Sequence, residues 1–81
     1  MLGETDIAET LKRVVADTFD LNDTDIDFAT GPQNCPEWTS LNHLTLLSAL
    51  EERFDCRFSL SDMSRMTDFG SIFQLLSMKV S

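Results

Sequence analysis

The sequence predicts an all-α fold: a small four-helix bundle with three main helices, a short third helix, and a long loop between helices one and two. Three observations predict it. Three segments carry apolar residues at helical spacing, no segment shows the strict alternation of a half-buried strand, and turn-forming residues interrupt the pattern at length only between Asp20 and Trp38. The chain has 81 residues, which suits one domain spanning residues 1–81. It contains no internal repeat and no low-complexity stretch.

Helix one is expected from about Thr5 to Phe19, where Ile7, Leu11, Val14, Val15 and Phe19 form one stripe. Asp6 and Glu9 suit the positive end of its dipole, and Lys12 and Arg13 lie off the stripe. From Asp20 to Trp38, Asp, Asn, Thr, Gly31, Pro32 and Pro36 break the periodicity, and Leu21, Ile26 and Phe28 are expected to pin this ordered loop to the core. Helix two should start near Ser40, capped by Thr39 or Ser40, because Pro36 prevents an earlier start, and should end near Phe54. Its main stripe reads Leu41, Leu44, Leu47, Leu50 and Phe54, widened by Leu46 and Ala49, so Leu46 is expected to stay partly exposed. A short helix over Asp62 to Met66, with Ser61 as cap, precedes a last helix capped by Thr67 or Asp68, in which Phe69, Ile72, Phe73 and Leu76 recur at i, i+3, i+4 and i+7.

Composition narrows the function. Fourteen acids against six bases give a net charge of −8, which disfavours phosphate-neutralising nucleic-acid binding and favours basic partners. A chain this short buries only about 60% of its unfolded surface, so a deep enclosing cleft, and with it an autonomous enzyme, is not expected. The start Met1-Leu2-Gly3-Glu4-Thr5-Asp6 shows neither a secretory signal nor a transit peptide, and no apolar stretch approaches a membrane span. Cys35 and Cys56 are too few for a disulfide framework and sit at no metal-binding spacing; a reducing cytoplasm is expected. The spacing of Asp23, Asp25 and Asp27 resembles the start of a calcium loop, but Phe28 replaces the needed glycine and the terminal Glu is missing, so these read as solvated turn acids.

Candidate chemistry reduces to one place. His43 is the single histidine and reads as an exposed or interface residue; Glu51 and Glu52 point about 100° apart on a helix and cannot form an acid and base pair. Met63, Met66 and Met78 read as core filling. Trp38-Thr39-Ser40-Leu41 ends a loop and turns directly into helix two, which holds a serine at a helix N-terminus where free amides favour an attached phosphodiester. A plain N-cap is the alternative use of that serine.

The run Ser40-Leu41-Asn42-His43-Leu44-Thr45-Leu46-Leu47-Ser48-Ala49-Leu50-Glu51-Glu52-Arg53-Phe54-Asp55 resembles the Ser-Leu motif, hydrophobic helix and Leu-Glu-Glu-x-Phe of acyl carrier proteins. The likeness extends over the whole chain, through Arg57-Phe58-Ser59-Leu60 and Met66-Thr67-Asp68-Phe69, and Trp38 is similar to the Trp-Asp-Ser-Leu variant of discrete carriers in specialised pathways. The resemblance implies an acyl-carrier-like bundle, a non-catalytic carrier whose Ser40 bears 4′-phosphopantetheine derived from coenzyme A. The terminal thiol of that arm would hold acyl or aminoacyl groups as thioesters in a fatty-acid-like, polyketide or other specialised pathway. It implies as partners a phosphopantetheinyl transferase, an acyl or aminoacyl ligase, and condensing or transferase enzymes, with the carrier itself a monomer. Leu44, Leu47, Phe69 and Ile72, together with Leu41, are expected to part for an acyl tail. Trp38, Thr39, Leu41, Asn42, Thr45, Leu46, Glu51 and Glu52 are expected to meet partners.

Two departures stand out. Thr39 occupies the place of the family's Asp; it can cap the helix but supplies no charge, which opens the alternative of a carrier-fold binding module that is never modified. Residues 38–50 contain no Asp, Glu, Lys or Arg, whereas residues 1–37 hold nine acids and two bases and residues 51–81 five acids and four bases. Docking is therefore expected to use Leu46, Trp38 and polar contacts, with the N-terminal acids steering at longer range.

Overall fold

Periodicity, caps and breakers divide the chain much as expected. The computed structural model describes residues 4–80, with side chains from Asp6 onward; the Met1 to Gly3 part of the leader reading lies outside the described residues. Helices α1 (Glu4–Phe19), α2 (Ser40–Phe54), α3 (Leu60–Arg65) and α4 (Phe69–Val80) form a small all-helical bundle, and no strand occurs among the described residues. The core combines Ile7, Leu11, Val15 and Phe19 of α1 with Leu46, Leu47, Leu50 and Phe54 of α2 and Phe69, Ile72, Leu75 and Leu76 of α4. Ile26, Trp38, Phe58 and Met66 complete it from the connections. α3 contributes no buried side chain.

Both α1 and α2 stop at an aspartate in the left-handed region, Asp20 at φ 57° and Asp55 at φ 52°. Each reversal is closed by a backbone bond from the next residue: Leu21 N–H to the Ala16 carbonyl at 2.9 Å, and Cys56 N–H to the Glu51 carbonyl at 3.1 Å. The Glu51 side chain also reaches forward, its Oε2 accepting the Phe58 N–H at 2.8 Å, so a residue expected on a solvated acidic face is half-buried and ties α2 to the chain leading into α3. α3 starts earlier than the sequence reading placed it. Ser59, not Ser61, is the cap, in a reciprocal capping box with Asp62. The Asp62 carboxyl is held below its ordinary range first by the Ser59 backbone N–H and then by Lys79, whose Nζ lies 3.0 Å away on α4. Asp68 caps α4, its Oδ1 accepting the Ser71 N–H at 2.8 Å.

The long loop is built rather than slack. A single 3-10 turn at Asp23–Asp25 leads to buried Ile26, and the Asp27 carboxylate accepts the Ala29 N–H at 2.8 Å. Asn34 bridges the next turn, accepting from Gly31 N–H at 2.9 Å and donating to the Ala29 carbonyl at 2.8 Å. The loop then joins α4: the Thr30 carbonyl accepts the Phe69 N–H at 2.9 Å. Gly31 is needed at this junction, since a Cβ there would come within 2.9 Å of the Asp68 Cβ. Phe28 packs edge-on against Phe69 and Phe73, at 5.4 and 5.1 Å between centroids, yet remains 55% exposed, so it covers the core rather than entering it.

The α2 stripe differs from the expected one. Leu46 is fully buried, whereas Leu41 and Leu44 are 73% and 61% exposed. A run of apolar residues three apart drifts back by about 60° per step at 100° per residue, so Leu41, Leu44, Leu47 and Leu50 wind around the helix instead of sharing a face. His43, Leu46, Leu47, Leu50 and Phe54 occupy one arc of about 100°, and the last four of them enter the core. Met78, expected in the core, is also exposed, while Met66 is fully buried and Met63 half-buried.

Replacing Leu46 by Ala is therefore expected to lower stability by about 2–5 kcal/mol, the range for a truncated core leucine. Leu41→Ala should change it by no more than about 0.5 kcal/mol, as for a surface site. Urea unfolding of the two variants checks this; equal losses would contradict the assigned faces.

Candidate functional site

The site is set by Trp38, the last core residue before α2. Its ring lies edge-on to Phe19 of α1 at 5.1 Å and 62°, its N–H donates to the Cys35 carbonyl at 3.0 Å, and its indole Nε1–H donates to His43 Nδ1 at 2.9 Å. The two rings meet edge to edge through this bond, their centroids 6.1 Å apart and their planes 29° from parallel. Trp38, expected as a partner contact, is thus only 5% exposed, and His43, expected at the surface, is half-buried. The sequence held the signal for His43, because it continues the Leu46, Leu50, Phe54 stripe one turn toward the N-terminus.

The next residue, Thr39, caps α2. Its Oγ1 accepts the Asn42 N–H at 3.1 Å and its carbonyl accepts the His43 N–H at 2.8 Å. Asn42 is held in turn, its side-chain amide donating to the Glu37 carbonyl at 2.8 Å. Ser40 is then the first residue of the helix; it is exposed, and its hydroxyl takes no hydrogen bond among the described residues. Thr39 supplies the cap, which leaves Ser40 free of that structural duty. The Ser40 and Leu41 amides are the first-turn donors that neither the helix nor Thr39 engages. Thr45, exposed one turn further on, donates its hydroxyl back to the Leu41 carbonyl at 3.0 Å.

An open groove of about 550 Å³ starts at Ser40 and runs between the head of α2 and α3. Trp38, His43, Leu44, Met63 and Met66 form much of its wall, with Thr39, Ser64 and Thr67 adding hydroxyls. Of the four residues expected to shelter an acyl tail, Leu44 lines this groove, while Leu47, Phe69 and Ile72 lie in the core behind it. Met63, Met66 and Thr67 were not expected there, since which residues lie across the groove from α2 is set by the tertiary arrangement, which periodicity does not report. Glu52 is exposed and lies outside the groove, as do Glu51 and Leu46.

Both cysteines are free. Burial raises the Cys35 thiol, which donates to Glu37 Oε1 at 3.6 Å, and burial likewise raises Cys56 despite the nearby Lys79. Each stays a neutral thiol at neutral pH and is a weak nucleophile. Among the described residues, no His, Cys, Asp and Glu group is arranged to hold a metal ion, and no helix is long and apolar enough to cross a membrane.

Desolvation lowers the His43 pKa from its ordinary 6.5. The unfolded chain then binds the proton before the folded one does, so this contribution to stability is complete above about pH 6.5 and falls as pH drops through the lower folded value. Protonation also removes the lone pair that Trp38 uses. Since Trp38 is the single tryptophan, its fluorescence is expected to titrate with a midpoint below 6.5, a transition that His43→Gln abolishes. A midpoint above 6.5 would contradict the buried neutral ring.

No protein-family model matches the chain, and none of the curated proteins matches it.

Proposed function

We propose that the chain is an acyl-carrier-like protein in which Ser40 is modified by a phosphopantetheine arm and the protein presents the attached acyl group to separate enzymes. The observation that carries this reading is the division of labour at the head of α2: Thr39 caps the helix, and the adjacent Ser40 keeps an unused, exposed hydroxyl at the mouth of a groove. The four-helix order, the long first loop and the Ser-Leu to Leu-Glu-Glu-x-Phe resemblance support it.

In this reading a transferase forms a phosphodiester at Ser40 Oγ, the pyrophosphate bond of coenzyme A breaks, and the adenosine bisphosphate portion leaves as the serine gives up its proton. The unengaged Ser40 and Leu41 amides at the positive helix end suit the phosphate charge. The arm supplies a thiol that carries the acyl group. The chain's own thiols, kept neutral by burial, stay out of exchange with it. Leu41 and Leu60, 73% and 86% exposed, and Thr45 are offered for partner contact without charge, whereas Leu46 and Trp38 serve the core. The acids on α1 and the loop add long-range attraction to basic partners.

A second reading, an unmodified carrier-fold binding module, is favoured by Thr39 alone. Intact mass spectrometry after incubation with coenzyme A and a broad-specificity phosphopantetheinyl transferase separates the two. One arm is expected on the wild type and none on Ser40→Ala; an unchanged wild-type mass sinks the carrier reading. Thr39→Asp is expected to load faster, because a carboxylate keeps the cap and adds the charge that the resembled motif carries. An equal rate would show that the transferase does not read this residue.

A further inference from the structure

The groove beside Ser40 is lined by His43, whose tautomer is fixed by its neighbour. The Trp38 indole can only donate, so the His43 Nδ1 that it reaches at 2.9 Å presents a lone pair, and the proton of the neutral ring lies on Nε2. The hydrogen bond holds the imidazole within 29° of the indole plane, and Nε2 has no hydrogen bond to the protein among the described residues. Two of the hydroxyls nearby are already engaged: Thr39 Oγ1 accepts from Asn42 N–H, and Ser64 Oγ donates to the Ser61 carbonyl. None of the ten groove-lining residues is Asp, Glu, Lys or Arg.

We propose that His43 Nε2–H is the polar anchor of this groove and donates to an oxygen of a neutral group held there. The inference rests on the carrier reading and narrows its cargo to acyl chains bearing a neutral oxygen substituent, a ketone or a hydroxyl. An uncharged wall offers nothing to balance a carboxylate or an ammonium group. A bare alkyl chain over the ring strands the donor away from water. An amide carbonyl of the arm has the same accepting chemistry as a cargo ketone, and the test separates the two sources.

The test is a long-range proton–nitrogen NMR spectrum of the ¹⁵N-labelled His43 ring at neutral pH. It is recorded on the unmodified protein, the arm-bearing protein, and the protein loaded with hexanoyl or β-oxohexanoyl groups, with each form verified by intact mass. The unmodified protein is expected to show the Nε2–H tautomer. The Nε2 resonance should shift, and its proton exchange should slow, with the β-oxohexanoyl group but not with hexanoyl. An Nδ1–H tautomer, or identical spectra in all four forms, overturns the anchor. A shift complete with the arm alone assigns the oxygen to the arm and overturns the cargo preference. His43→Gln, whose amide can accept from Trp38 and donate onward, should retain a β-oxo-dependent change in Trp38 fluorescence that His43→Phe loses; retention in His43→Phe overturns the anchor. A chain that takes no arm fails the carrier reading alone. The anchor is then tested by titrating free β-oxohexanoyl and hexanoyl N-acetylcysteamine thioesters into the unmodified protein, where a His43 shift with the first and not the second supports it and no difference overturns it.

Discussion

The arrangement around Ser40 depends on one buried indole. Trp38 touches α1 through Phe19 and α2 through His43, and its own backbone closes the turn from Cys35. The edge-on aromatic pair contributes about 0.5–1.5 kcal/mol beyond burial, and the hydrogen bond a similar net amount. Their larger effect is positional. The connection from α1 is long enough to let the head of α2 wander, and an anchor two residues before Ser40 removes that freedom where the hydroxyl must be presented. A polar interaction inside an apolar contact thereby selects one orientation from many that hydrophobic burial alone would accept.

The rest of the loop serves the same end from the other side. Thr30 joins it to the first amide of α4, and Gly31 lets the two backbones approach where a side chain would not fit. Ile26 and Phe28 give it apolar weight. Its exposed acids are solvated or satisfy local turns, so most of the negative charge sits on the scaffold, while the head of α2 stays neutral. Charge and recognition are placed on different parts of one small surface.

Much of this was legible in the sequence. Apolar periodicity gave the three main helices, Pro36 and Thr39 gave the start of α2, and Phe54 its end, because these rest on local chain geometry. The face of α2 was not, because its leucines, spaced three apart, suit two overlapping stripes in a helix that carries no charge from Ser40 to Leu50 to mark its wet side. Tertiary packing decides there: Leu46 enters the core, and Leu44 is left at the groove. The cap of α3 was missed in favour of Ser61 because several serines compete, and only Ser59 has Asp62 three residues on to complete the reciprocal pair. The groove itself was half legible. Ser40 and Leu44 share a helix, but Met63 and Met66 reach them only through tertiary packing.

α3 has a capping box and an ion pair with Lys79 to hold it, and no side chain of its own in the core. Its residues are therefore released from the demands that fix the other three helices. Leu60, Ser61 and Ser64, all exposed, can be exchanged over generations with little loss of folding free energy, provided that Ser59, Asp62, Met63 and Met66 keep the segment in place. One wall of the groove can then be reshaped by drift and selection while the bundle that carries it stays the same. In a molecule this small, such separation lets a new binding preference arise without first surviving a loss of stability.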